Sequence, residues 1–100
     1  MIVQRDTVYV KVGCMDQAIE LIKAEMSKRE GPPKWRILTP QFGVRTDMIV
    51  VEWEFESLAK LEEFWAVWLA KPETAEFWKR YNQLVETGGH NETWNLVSES

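Results

Sequence analysis

The stretch KWRILTPQFGVRTDMIVVEWEFE, Lys34 to Glu56, decides how this chain folds. Two runs of alternating character flank GVRT, Gly43 to Thr46, which is the pattern of a β-hairpin. With the turn centred on Arg45, Trp35 faces Phe55, Ile37 faces Trp53 and Gln41 faces Ile49, making one largely apolar surface. On the other surface Phe42, Pro40 and Leu38 lie across from Met48, Val50 and Glu52, while Arg36 meets Glu54 and Lys34 meets Glu56. A one-residue slip would exchange the two faces and destroy the match.

Two features place these strands within a sheet. Proline removes a ladder hydrogen bond, so Pro40 makes the first strand of the hairpin an edge. Met48 to Val51 is apolar on both faces, so the second strand is central and covered on both sides at that end.

Upstream, TVYVKV (Thr7 to Val12) alternates, with Val8, Val10 and Val12 on one face and Thr7, Tyr9 and Lys11 on the other; Gly13 ends it. From Cys14 to about Arg29, residues Met15, Ala18, Ile19, Ile22 and Met26 recur at helical spacing. Asp16 in its first turn and Lys28 and Arg29 in its last complement the helix dipole. EGPP, Glu30 to Pro33, breaks that helix.

Downstream, Ser57 is a good N-cap, and the helix after it places Leu58, Leu61, Trp65 and Trp68 on one face with Phe64 at its border. Lys71 and Pro72 interrupt it. Proline suits a first helical position, so PETAEFWKRYNQLVET opens a second segment with Phe77, Tyr81, Leu84 and Val85 inward and Gly88 and Gly89 as its C-cap. ETWNLV, Glu92 to Val97, is then a short final strand carrying Trp94 and Leu96 on one side.

The order is strand, helix, strand, strand, broken helix, strand. It predicts an α+β, ferredoxin-like βαββα(α)β fold with a four-stranded antiparallel sheet, in which strand two is an edge and strands one and three are central. Helices cover one face of such a sheet. The other carries Phe42, Pro40, Leu38, Met48 and Val50, an apolar patch that a second copy would cover, so a homodimer about a two-fold axis is expected through this open face.

Composition narrows the function classes. One hundred residues make one domain, 1–100, able to bury roughly 65% of the surface its unfolded chain exposes. The formal charge of −4 is spread among interspersed acids and bases, with no basic face for nucleic acid. The longest apolar run, Phe64 to Ala70, is far short of the roughly 20 residues of a membrane-spanning helix. IVQRDTVYVKV after Met1 has no basic start and no small-residue cleavage site, so a cytoplasmic protein is expected. The lone Cys14 reads as a small structural residue at a helix start.

The run VVEWEFESLAKLEEFWAVW, from strand three into the next helix, resembles the dimeric α/β-barrel superfamily and is similar in particular to NIPSNAP-like proteins. That resemblance implies two four-stranded sheets closing a barrel between subunits, with a pocket in each subunit between sheet and helices. The superfamily also includes cofactor-free monooxygenases and haem-degrading enzymes. The small haem-degrading members use an Asn from strand one, a Trp on the helix after strand three and a His further along. Trp65 or Trp68 matches the Trp, but strand one has no Asn and the later helices have no His, which disfavours haem degradation.

No Gly-rich phosphate loop, paired-Cys spacing or serine nucleophile signature is present, so no cofactor or metal is expected. Glu52, Glu54 and Glu56 share a strand face with Arg36 and Lys34 and read as an ion-pair ladder. His90 follows two glycines and reads as an exposed loop residue. The candidate ligand-binding residues are Tyr9, Trp53, Trp65, Trp78, Tyr81 and His90, as wall and polar handle of a cavity for a small apolar or aromatic molecule. The expected function is binding of such a molecule between sheet and helices. The alternative is a cofactor-free monooxygenase, resembling those of antibiotic biosynthesis, acting on an aromatic or quinol substrate.

Overall fold

The computed structural model describes residues 1–28 and 33–100. Its elements are β1 (Ile2–Val10), α1 (Met15–Ser27), β2 (Lys34–Leu38), β3 (Met48–Phe55), α2 (Leu58–Leu69), α3 (Pro72–Asn82) and β4 (Val85–Asn95). All neighbouring strands are antiparallel, in the order β2-β3-β1-β4. This is the expected ferredoxin-like α+β fold, with β2 at an edge and β1 and β3 central. Of the sequence expectations, Arg29 and most of the EGPP break lie outside the described residues.

Pleating sorts the sheet into two faces. Ile49, Val51, Trp53 and Phe55 of β3 turn toward the helices and are buried there, joined by Val10 of β1 and by Ala18, Ile22 and Met26 of α1. Leu61 and Trp68 of α2 and Phe77 and Tyr81 of α3 close this core from above. Ser57 caps α2 as expected, its side chain accepting from the Lys60 backbone N–H at 3.2 Å. Pro72 begins α3, and the buried Thr74 hydroxyl donates to the Trp68 carbonyl at 2.6 Å, which fixes the bend between α2 and α3. Leu58, expected inward, is exposed at the start of α2.

The hairpin keeps the expected faces but not the expected register. Lys34 pairs with Glu54, Trp35 with Trp53, Arg36 with Glu52, Ile37 with Val51 and Leu38 with Val50, a slip of two residues. A two-residue slip preserves every side chain's face, so the alternation could not detect it. Glu52 supplies the physical reason. In this register its carboxylate sits between Arg36 of β2 and Arg5 of β1, with contacts of 2.5 Å to each guanidinium, while its side chain is 3% exposed. Burial pushes that carboxyl up, and the hydrogen bonds and charges of Arg36 and Arg5 outweigh it, so its pKa falls below the ordinary value. Lys34 meets Glu54 at 3.1 Å, whereas Glu56 lies exposed beyond the strand. β2 stops at Leu38, so Pro40 and Phe42 belong to the connecting loop.

The end of the chain departs further. Gly88 and Gly89 do not cap α3, which ends at Asn82; they lie inside β4, which begins at Val85 and takes in His90 as well. The β1–β4 register shifts between Thr7 and Tyr9, and Gly88 takes a φ of 108° there. A Cβ on Gly89 would lie 2.4 Å from the Thr7 carbonyl oxygen, so the strands approach as closely as they do only because the side chain is absent. Leu84 and Val85 still pack against the core, but from the turn and from β4. Val12, expected to share a face with Val8 and Val10, lies past the end of β1 and is exposed.

Candidate functional site

Between the sheet and α2–α3 the aromatic side chains form a continuous chain of ring contacts. Trp53 meets Trp65, Trp65 meets Trp68, and Trp68 meets both Phe77 and Trp78, with ring centres 5.1–5.7 Å apart and mostly edge to face. Phe77 then stacks on Tyr81. Such offset pairs contribute about 0.5–1.5 kcal/mol each beyond the area they bury.

Three of these indole N–H groups have acceptors within the protein. Trp53 donates to the Met26 sulfur at 3.2 Å, Trp65 to Gln4 Oε1 at 2.5 Å and Trp68 to Glu25 Oε1 at 2.9 Å. The Gln4 contact begins a relay across two strands. Gln4 Nε2 donates to Asn91 Oδ1 at 3.2 Å, and Asn91 Nδ2 donates in turn to Asp6 Oδ1. Every dipole in this relay points its positive end toward the Asp6 carboxylate.

Asp6 stands on the helix-facing side of β1, opposite Val51 and Asn91. It borders a gap of about 50 Å³ walled by Trp53, Trp65, Trp68, Phe77, Trp78 and Tyr81, with Ile22, Met26 and Val51 behind. Desolvation pushes its carboxyl up to about 6, against a smaller pull downward from the Asn91 hydrogen bond. No cation contacts it among the described residues. Burial, with a smaller push from the Asp6 charge, raises the Tyr81 phenol, which therefore stays protonated.

Four of the six residues named from the sequence, Trp53, Trp65, Trp78 and Tyr81, thus come together around one gap. Tyr9 and His90 do not. Tyr9 pairs with Met48 on the open face, its ring covered by the Arg45 guanidinium at 4.1 Å. His90 is a strand residue opposite Thr7, on that same face, 3.7 Å from Glu92. The residues not foreseen are Asp6, Gln4 and Asn91. Their signal was present for the first two: positions 4, 6, 8 and 10 share one face of an alternating strand, so a carboxylate and an amide stood in phase with Val8 and Val10.

Among the wider hollows elsewhere are two of about 540 and 580 Å³. One runs between α1 and α3 beside Glu20, Glu73, Glu76 and Arg80, and the other lies beside Lys34, Glu56, Lys60 and Glu63. Both are bordered by charges of both signs. Among the described residues no group of acids, histidines and cysteines is placed to hold a metal, and no helix is long and apolar enough to cross a membrane.

No protein-family model matches this sequence, and a search of curated proteins finds no match. Solved structures do share its fold. An uncharacterized NIPSNAP domain protein from Burkholderia xenovorans superposes with a TM-score of 0.81 at 14% identity, over 98% of this chain and 96% of that one. A NIPSNAP family protein from Agrobacterium tumefaciens gives 0.81 at 16% identity, over 99% and 88%. A putative antibiotic biosynthesis monooxygenase from Deinococcus radiodurans gives 0.73 at 10% identity, over 100% and 96%. At these identities the likeness is one of fold, and it agrees with the NIPSNAP-like resemblance read from strand three and the helix after it.

Proposed function

We propose that this chain is a ligand-binding domain of the dimeric α/β-barrel type, taking a small apolar or aromatic molecule between its sheet and its helices. The observation that carries this reading is Asp6, a carboxyl without a cation at the floor of an aromatic-walled gap. A core shaped for stability alone would hold an apolar side chain there, because a part-buried carboxyl without a cation is costly. The gap of about 50 Å³ has room for one or two waters, at roughly 30 Å³ each. A larger ligand enters by displacing Trp78, the most exposed ring of the wall at 38%.

Indole N–H resonances test this directly, because the chain carries its own control. Titration with toluene is expected to shift the signals of Trp65, Trp68 and Trp78 saturably, while that of Trp94, on the other face of the sheet, stays in place. Equal shifts in all of them, or none up to millimolar toluene, would overturn the reading.

The open face would take a partner of its own kind. Leu38 and Trp94 are 40% and 55% exposed there, and Val3, Met48 and Val50 are half-buried, around the Arg5–Glu52–Arg36 cluster. A second copy related by a two-fold axis would cover these side chains. Sedimentation at micromolar concentration is expected to show twice the chain mass of 11.8 kDa. A stable species at the single-chain mass would refute the dimer.

A further inference from the structure

We infer that the gap beside Asp6 receives an ammonium head group, carried on the apolar or aromatic body of the ligand proposed above. The inference rests on that reading of the site and specifies the chemistry of its ligand.

Most of the donors around the gap are already engaged, which disfavours the opposite polarity. The indole N–H groups of Trp53, Trp65 and Trp68 are all engaged with acceptors of the protein, and both side-chain amides of the relay are engaged as well. An anion or a bare hydrogen-bond acceptor would find the Trp78 N–H and the Tyr81 hydroxyl to meet it, and with them the Asp6 carboxylate, which repels an anion. Asp6 presents the reverse. Asn91 binds Oδ1, and among the described residues no donor binds the second carboxylate oxygen. A ligand that brings its own N–H completes the site.

Charge and shape point the same way. The cations of the sheet are held on its other face or in the β2–β3 loop: Arg5 and Arg36 by Glu52, Lys34 by Glu54, Arg45 by Asp47. What faces the gap is one carboxylate and the rings of Trp65, Trp68, Phe77, Trp78 and Tyr81. Aromatic faces attract cations through their quadrupoles, most strongly where water is excluded. A volume of about 50 Å³ suits an amine head group and excludes a fused ring, so the body of the ligand would pass outward beside Trp78.

The test compares 2-phenylethylammonium with 2-phenylethanol, which share a skeleton and differ in the head group. At pH 7.5, followed by the indole N–H signals, the ammonium is expected to bind about tenfold tighter or more. Asp6→Asn is expected to abolish that preference. Equal binding of the two compounds, or a preference that survives Asp6→Asn, would overturn the ammonium assignment and leave the apolar-ligand reading standing. Failure of both compounds to bind the parent protein would remove both. An unchanged Trp94 signal and a melting temperature no lower than the parent's show that the variant is folded.

Discussion

Trp68→Ala is expected to remove about 3–5 kcal/mol of stability, the largest loss of any single substitution considered for this chain. Unfolding in urea measures it. Trp68 is 4% exposed, and its ring touches Trp65, Phe77 and Trp78, so truncation opens a cavity where α2 and α3 meet. It also takes from the buried Glu25 carboxyl the indole N–H that reaches it at 2.9 Å. Trp68→Phe keeps most of the packing and loses only that donor, and should cost less than half as much. Domains of this size are stable by about 5–15 kcal/mol, so the alanine variant would stand near the edge of folding. A loss below about 1 kcal/mol would show that the aromatic chain is not what joins the helices to the sheet.

Asp6→Asn has the opposite sign. The folded carboxyl titrates at about 6, above its ordinary value of 3.8, so between these values the folded state binds more protons than the unfolded one. The stabilising contribution is complete below about pH 4 and is lost as pH rises through 6. Above that the ionised group is a liability of about 1–3 kcal/mol, the lower end applying because Asp6 is only part-buried. Asp6→Asn is therefore expected to be more stable than the parent by this amount at pH 8 and equal to it at pH 4. Around Asp6 stand Asn91 from β4, Val51 and Trp53 from β3, Ile22 and Met26 from α1, Trp65 and Trp68 from α2, and Phe77, Trp78 and Tyr81 from α3. Tyr81 is the other titratable group in that set, and it stays neutral over this range. A protein that gains stability when a cavity carboxyl is removed is holding that group for another purpose.

Strand parity explains how much of this was legible beforehand. Pro40 and the run Met48 to Val51 led to the observed strand order, although Pro40 itself lies in the loop after β2. Alternation placed Trp35 and Ile37 correctly on the helix face and Arg36 and Lys34 on the other. It could not fix the register, because a slip of two residues leaves every face unchanged and the choice falls to one carboxylate wanting two guanidiniums. Gly88 and Gly89 resembled helix caps because they follow a helical pattern closely; their use in a close strand crossing depends on β1, distant in sequence. That misreading hid the first half of β4, and with it Asn91.

Much of the aromatic part of the site is legible as helical spacing, since Trp65 and Tyr81 fall on the inward faces of their helices and line the gap. Its polar part is not. The chemistry of Tyr9 and His90 suggests a site, yet both lie on the open face, whereas Asp6 stands inside an otherwise ordinary alternating strand. A charged residue in phase with the buried positions is the better signal.

The most direct test is the titration of the Asp6 side-chain carboxyl, followed by its ¹³C resonance. A midpoint of about 6 that falls when 2-phenylethylammonium is added would agree with a desolvated carboxylate awaiting a cation. A midpoint at the ordinary 3.8, unmoved by the ammonium, would contradict it.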